Sequence, residues 1–195
     1  KCKGDHRWCA RCLKAGHKHE DTATHTAHSC PAAREVWARV AKAWEDATGE
    51  LLDVSSPRLT VLGLRPEPQQ TATPPEKARH KATEPAWRLL HAVTLLQIYK
   101  ARTRVHMAHH AEHGPHDAKR ATPKHILRAV KQRVAARVQY EHDRALHASR
   151  EQPKPSTHKS AWAKFHGHWI ATGIASIRKG GPRLNLLSPP PPAQP

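Results

Sequence analysis

The chain has 195 residues, with 33 Lys and Arg against 16 Asp and Glu, a formal net charge of +17, 18 His, 17 Pro and only 5% aromatic residues. Mean hydropathy is −0.77 and no apolar run is long enough to cross a bilayer, which argues against a membrane protein and leaves room for one domain or two small ones. The charge is uneven, since residues 1–99 hold 15 Lys/Arg against 11 Asp/Glu and residues 100–195 hold 18 against 5, so attraction for phosphate or another polyanion belongs to the second half.

The first thirty residues contain every cysteine of the chain. Cys9, Cys12, His25 and Cys30 form the pattern C-x2-C-x12-H-x4-C. A C-x2-C pair is the shortest loop that aims two thiolates at one ion, and Zn2+ prefers a tetrahedron of thiolate and imidazole ligands. His28 is the alternative to His25, but a single residue before Cys30 is cramped for chelation. Cys2 is left over, and His6, His17 and His19 are spare. Disulfides are the competing reading of four cysteines; no signal peptide and no secreted scaffold accompany them. The only methionine is Met107 and the first residue is Lys1, so we take the chain to begin internally, within an intracellular protein of the nucleus or cytoplasm.

A helix is expected directly after Cys30, with Pro31 at its first position and Gly49 as its stop. Ala33, Val36, Trp37, Val40, Trp44 and Ala47 share one arc of about 100°, and Arg34, Glu35, Lys42, Glu45 and Asp46 occupy the other side. Both tryptophans lie on the valine stripe and read as core. Residues 51–64 are short apolar groups, strand-like or irregular, that close over this helix. Residues 65–84 read as a Pro-rich linker.

The second helix is expected to start at Thr83 or Glu84 with Pro85 in its first turn. Leu89, Leu90, Val93, Leu95, Leu96 and Ile98 spread around it, which predicts burial on more than one side. Lys100, Arg102 and Arg104 at its end suit the helix dipole and are candidate phosphate contacts. Beyond them His106, His109, His110, His113 and His116 crowd a connection whose spacing is weakly specific for a metal.

Thr122-Pro123 announces a third helix with Ile126, Leu127, Val130, Val134 and Val138 on one side. Lys124, Arg128 and Lys131 gather on an adjacent arc, the best candidate for a phosphate-tracking surface, against the alternative of an ordinary solvated face. Pro153-Lys-Pro155 reads as a hinge. Trp162, Phe165 and Trp169 stand at helical spacing and are expected to pack back onto the helices. Residues 181–195 read as a disordered tail that ends in the Pro189–Pro195 segment.

Cys9-Ala10-Arg11-Cys12, followed by Glu-Asp-Thr-Ala-Thr-His-Thr-Ala-His-Ser-Cys-Pro-Ala-Ala-Arg-Glu-Val-Trp at residues 20–37, resembles the zinc-binding domain found C-terminal to the reverse transcriptase of non-LTR (LINE-type) retrotransposons. In that family a cysteine pair precedes an acidic-Thr segment, a histidine, a cysteine often followed by proline, and a Val-Trp helix. Trp87 to Arg102, ending in Lys100-Ala101-Arg102, is similar to the Trp-rich helix that often trails the domain. The specific resemblance covers about residues 9–49. The departures are extra histidines, a tyrosine where a tryptophan is frequent, and an unusually basic tail. The resemblance implies zinc ligation by Cys9, Cys12, His25 and Cys30, and a neighbouring reverse transcriptase domain as partner.

Enzymatic chemistry finds no residues: there is no Asp-Asp pair for two metal ions, no Gly-rich phosphate loop and no nucleophile elbow. The expected fold is mainly α: a CCHC zinc-binding module over residues 1–64, the linker, and a loosely packed basic helical region over residues 85–180. The expected function is non-catalytic binding of RNA or DNA through Lys100, Arg102, Arg104, Lys124, Arg128 and Lys131. The alternative is a structural zinc module for protein–protein interaction with an incidentally basic tail.

Overall fold

The computed structural model of the protein describes residues 7–110, 121–151 and 161–187. An isolated antiparallel bridge between Trp8 and Glu20 brackets the short helix α1, Ala10–Lys14. A π-helical turn, His25–Ser29, leads into α2, Pro31–Thr48, and α3, Pro57–Thr60, is a single turn. Two long helices follow, α4, Pro74–His110, and α5, Pro123–Glu151. Residues 161–165 are helical and run into a second π-helical turn, His166–Ile170. An antiparallel hairpin closes the described chain, β1, Ala175–Arg178, and β2, Gly181–Leu184, with Ala175 opposite Leu184 and Arg178 opposite Gly181. The mainly α architecture is the one expected, and among the described residues no helix is long and apolar enough to cross a membrane.

The α2 stripe behaves as its periodicity predicts. Ala33, Val36, Trp37, Val40 and Trp44 are buried, and Ala47 packs against them half-buried. Pro31 occupies the first turn, and Gly49 sits in the left-handed region at φ 74° with its N–H on the Glu45 carbonyl at 2.7 Å, an ending that a Cβ would penalise.

The start of α4 differs from expectation. Residues 74–84, read as linker, form its opening turns, and Thr73-Pro74-Pro75-Glu76 supplies the glutamate half of a capping box: the Glu76 carboxylate accepts from the Thr73 N–H at 2.6 Å and hydroxyl at 2.8 Å. Pro85 therefore lies inside the helix, where it removes one backbone bond. Arg65 clasps this turn, donating to the His80 carbonyl, the Thr83 hydroxyl and the Glu84 carboxylate at 2.6, 2.9 and 2.8 Å. Beyond it, Trp87, Leu90, Ile98 and Ala101 are buried.

One core runs from Cys9 to Leu186, so residues of the 1–64 and 85–180 segments share it. Trp44 meets Trp87 edge-on, with centroids 5.5 Å apart at 70°. On α5, Ile126, Val130, Val134 and Val138 are buried, and the same row continues through Ala145. Phe165 and Trp169 pack back as anticipated, with Phe165 5.4 Å from the His142 ring and the Trp169 indole donating to Glu141 at 2.6 Å.

Residues 181–187 correct the expectation of a tail beginning at 181. They form β2 and a turn that buries Leu184 and Leu186. The signal was Gly180-Gly181 between apolar segments, a hairpin reversal. Gly173, at φ 79°, lets this C-terminal strap lie on the end of α2: a Cβ there would stand 2.5 Å from the Ala47 carbonyl oxygen. Cys2, His6, His113, His116, the Pro153–Pro155 hinge and the Pro189–Pro195 segment lie outside the described residues, as do the side chains of His109 and His110.

Candidate functional site

Cys9, Cys12, His25 and Cys30 converge, and their ligand atoms all lie within 4.8 Å of one another. Each pair is built by local backbone chemistry. The Cys9 N–H bonds the His19 carbonyl at 2.8 Å across the Trp8–Glu20 bridge, and Cys12 lies on the one-turn helix that follows. His25 and Cys30 are joined by the bond that defines a π-helical turn, Cys30 N–H to His25 carbonyl at 2.7 Å. That bond turns the H-x4-C spacing into a chelating geometry. His28, the alternative ligand, points elsewhere and meets the Thr60 hydroxyl at 2.8 Å.

The Cys12 sulfur stands 3.3 Å from His25 Nε2. A tetrahedron with arms of about 2.0–2.3 Å has edges of roughly 3.3–3.8 Å, so the Cys12–His25 pair stands at such an edge length, and the set as a whole lies within 4.8 Å. All four residues are buried and none of the three cysteines is in a disulfide. The thiols divide their protons unequally. The hydrogen bond from Cys30 draws Cys9 down to about 4, burial and then the charge of Cys9 push Cys12 up to about 11, and its bond to Cys9 together with burial raises Cys30. A bound divalent cation would replace these shared protons. The four residues thus form a buried cluster that can hold a metal ion.

Surrounding contacts hold the loop. Trp37 donates its indole N–H to the Ala27 carbonyl at 2.7 Å, and the His19 ring stacks on His25 with centroids 5.2 Å apart. Asp21, whose side chain is 2% exposed, accepts from the Thr26 hydroxyl at 2.9 Å and from Arg102. Burial alone would raise the Asp21 carboxyl, but Arg102 and Thr26 more than offset it and hold it below the ordinary carboxylate range.

The candidate phosphate contacts separate into groups. Arg102 is spent on Asp21. Lys100 and Arg104 are exposed on α4 and make no ion pair among the described residues. Lys124, Arg128 and Lys131 line a cleft of about 790 Å³ between α2 and α5, together with Arg39 and Lys42 of α2. Arg39 and Lys42 are paired, with Glu35 at 3.1 Å and with Asp46 at 2.8 Å. Lys124 and Arg128 are exposed and make no ion pair among the described residues.

Two residues carry no functional signal in the sequence. Arg39 lies on the polar side of α2, and no local pattern told that this side would face α5. Arg65 stands in the Pro-rich 65–84 segment, yet its side chain is 1% exposed and bound to Glu50 and Glu84. No protein-family model, curated protein or solved structure matches the chain.

Proposed function

We propose that the protein is a non-catalytic, zinc-ordered nucleic-acid-binding module from the C-terminal part of a retrotransposon reverse transcriptase polyprotein, assisting template RNA or target DNA binding beside the reverse transcriptase domain. Zn2+ is the ion that a set of three thiolates and one imidazole favours, and it would be held by Cys9, Cys12, His25 and Cys30, whose ligand atoms lie within 4.8 Å of one another. Four protein ligands leave no open position for an activated water, so the metal's role is structural. The retrotransposon origin is supported by the Cys-Ala-Arg-Cys and His-Ser-Cys-Pro segments and their spacing alone.

The observation that carries nucleic-acid binding is the pairing state of the α5 cations. Lys124 and Arg128 stand one helical turn apart at the rim of the cleft with no carboxylate partner among the described residues, whereas Arg102 and Arg65 are consumed by internal ion pairs. Unpaired rim cations are free to neutralise phosphates and release counterions. Lys100 and Arg104 are two further exposed cations, on α4.

The test combines metal content with salt-dependent binding. We expect one zinc per chain by elemental analysis, lost together with far-UV helicity in Cys9→Ser/Cys12→Ser, and oligonucleotide binding that weakens steeply with salt. Lys124→Gln/Arg128→Gln should lower the slope of log K against log[salt] by about 1.5. Absence of zinc, or a slope unmoved by these substitutions, would overturn the reading.

A second reading, a structural zinc module for protein–protein interaction, is favoured by one feature. Leu51, Leu62 and Leu64 flank α3 at 74%, 63% and 50% exposure. Salt-insensitive capture of a protein partner, abolished by Leu62→Ser/Leu64→Ser, would select it.

A further inference from the structure

We propose that the α2–α5 cleft is specific for single-stranded nucleic acid, seating an unstacked base on its floor while the α5 rim holds the adjoining phosphates; the inference rests on the nucleic-acid reading above. The cleft has two chemically distinct parts. Its charged lining is Lys124, Arg128 and Lys131 on the α5 side and Arg39, Lys42 and Asp46 on the α2 side, with Asp46 neutralised by Lys42 at 2.8 Å. Lys124 and Arg128 are four residues apart and about 6 Å along the axis, within reach of adjacent phosphates on one strand. Its floor is aliphatic, formed by Ala43 and Ala47 of α2, Leu127 of α5 and Leu187 of the C-terminal strap, all half-buried.

A duplex cannot use such a floor. Its base faces are stacked inside, and it presents phosphates on a convex surface too wide for a concave space of about 790 Å³, which lies in the range of roughly 300–1,000 Å³ typical of small-ligand clefts. A single strand exposes a base face beside every phosphate, and burial of that face against aliphatic carbon adds to the electrostatic contact.

The lining also bears on selectivity. Among the described residues its only uncharged polar side chain is Asn185, which already donates to the Gly173 carbonyl at 2.9 Å and accepts from the Ser176 hydroxyl at 3.2 Å. It holds the strap in place and keeps one amide N–H and one carbonyl lone pair, so base-edge readout by uncharged groups rests on this single side chain and little sequence preference is expected.

The strap closes the cleft by two close approaches. Gly173 lies against the Ala47 carbonyl, and Leu187 is held at φ 57°, the one non-glycine residue with positive φ among the described residues. Leu187 thus takes its place in the floor at some backbone cost.

Fluorescence anisotropy with the full zinc-loaded chain tests this, using a short mixed-sequence oligodeoxynucleotide, the matching oligoribonucleotide, and the DNA duplex of the same sequence. Both single strands should bind on the order of tenfold more tightly than the duplex. Leu127→Gln should erase that difference and leave duplex binding unchanged. Ala43→Gln, which lays a longer side chain across the floor from the opposite helix, should do the same if Leu127→Gln disturbs folding. A ribose or deoxyribose preference among the single strands identifies the natural strand and supports the assignment. Equal affinity for single strands and duplex, or a preference that survives both floor substitutions, overturns the single-strand assignment while the nucleic-acid reading stands. Failure of every oligonucleotide to bind overturns both.

Discussion

Arg102 of α4 donates to Asp21 of the metal loop from Nε at 2.9 Å and from Nη2 at 2.5 Å, across 81 residues of chain. Asp21 lies between Cys12 and His25, the inner edges of the two ligand pairs, so this contact couples the loop directly to the longest helix. The Tyr99 hydroxyl donates to the Ala23 carbonyl at 3.4 Å one turn earlier, and Arg11 donates to the Ala121 carbonyl at 2.9 Å. The ligand loop is therefore anchored on α4 and beside the start of α5 as well as on α2.

Asp21→Asn should destabilise the protein by about 2 kcal/mol in urea unfolding. That is less than the roughly 3–5 kcal/mol of a fully buried pair, since Arg102 keeps a third of its side-chain surface in water. Arg102→Lys should restore only part of the loss seen in Arg102→Ala, because an ammonium cannot make the two-pronged contact.

The same pair sets a pH dependence. The Asp21 carboxyl is held below its ordinary range in the folded protein, so the folded state binds the proton less readily than the unfolded chain. Its contribution is complete above the ordinary carboxyl pKa of about 4 and is lost as pH falls through the lower folded value. Unfolding free energy measured from neutral to acid pH should fall less steeply in Asp21→Asn than in the native chain.

Arg65→Met should cost about 3–5 kcal/mol in thermal or urea unfolding. The substitution preserves volume but leaves Glu50 and Glu84 facing each other without their shared cation, and it strips a donor from the His80 carbonyl just before Pro85. Zinc content should be unaffected, because Arg65 makes no contact with the four ligands. Loss of metal in this variant would show that the Pro85 turn and the metal loop unfold together.

Gly173→Ala should lower stability by roughly 1–3 kcal/mol, through a positive φ that alanine disfavours and through collision with the Ala47 carbonyl. Because that contact places the strap beside the cleft, the variant should also weaken binding of single-stranded oligonucleotides with metal content intact. Differential scanning calorimetry and anisotropy on the same preparation check both.

The Cys/His cluster that can hold a metal ion and α2 were legible in the sequence because both are local. C-x2-C and H-x4-C each close within one turn of chain, and the stripe from Ala33 to Trp44 needs only helical periodicity to define a buried face. The α5 stripe from Ile126 to Val138, announced by Thr122-Pro123, is of the same kind. The Thr73–Glu76 cap and the reversal at Gly180-Gly181 are local too, but the first is masked by a Pro-rich composition typical of linkers and the second follows aromatic residues at helical spacing.

The fate of each charge was decided only by tertiary structure. Nothing in their immediate neighbourhoods distinguishes Arg65 and Arg102, which are locked to Glu84 and Asp21, from Arg128, which stands exposed. A guanidinium is driven to pair when packing removes it from water and sets a carboxylate within reach, and which faces meet is fixed by how α2, α4 and α5 close over one core. Residue type supplies the charge; only the assembled helices determine whether it is spent on the fold or left for a partner.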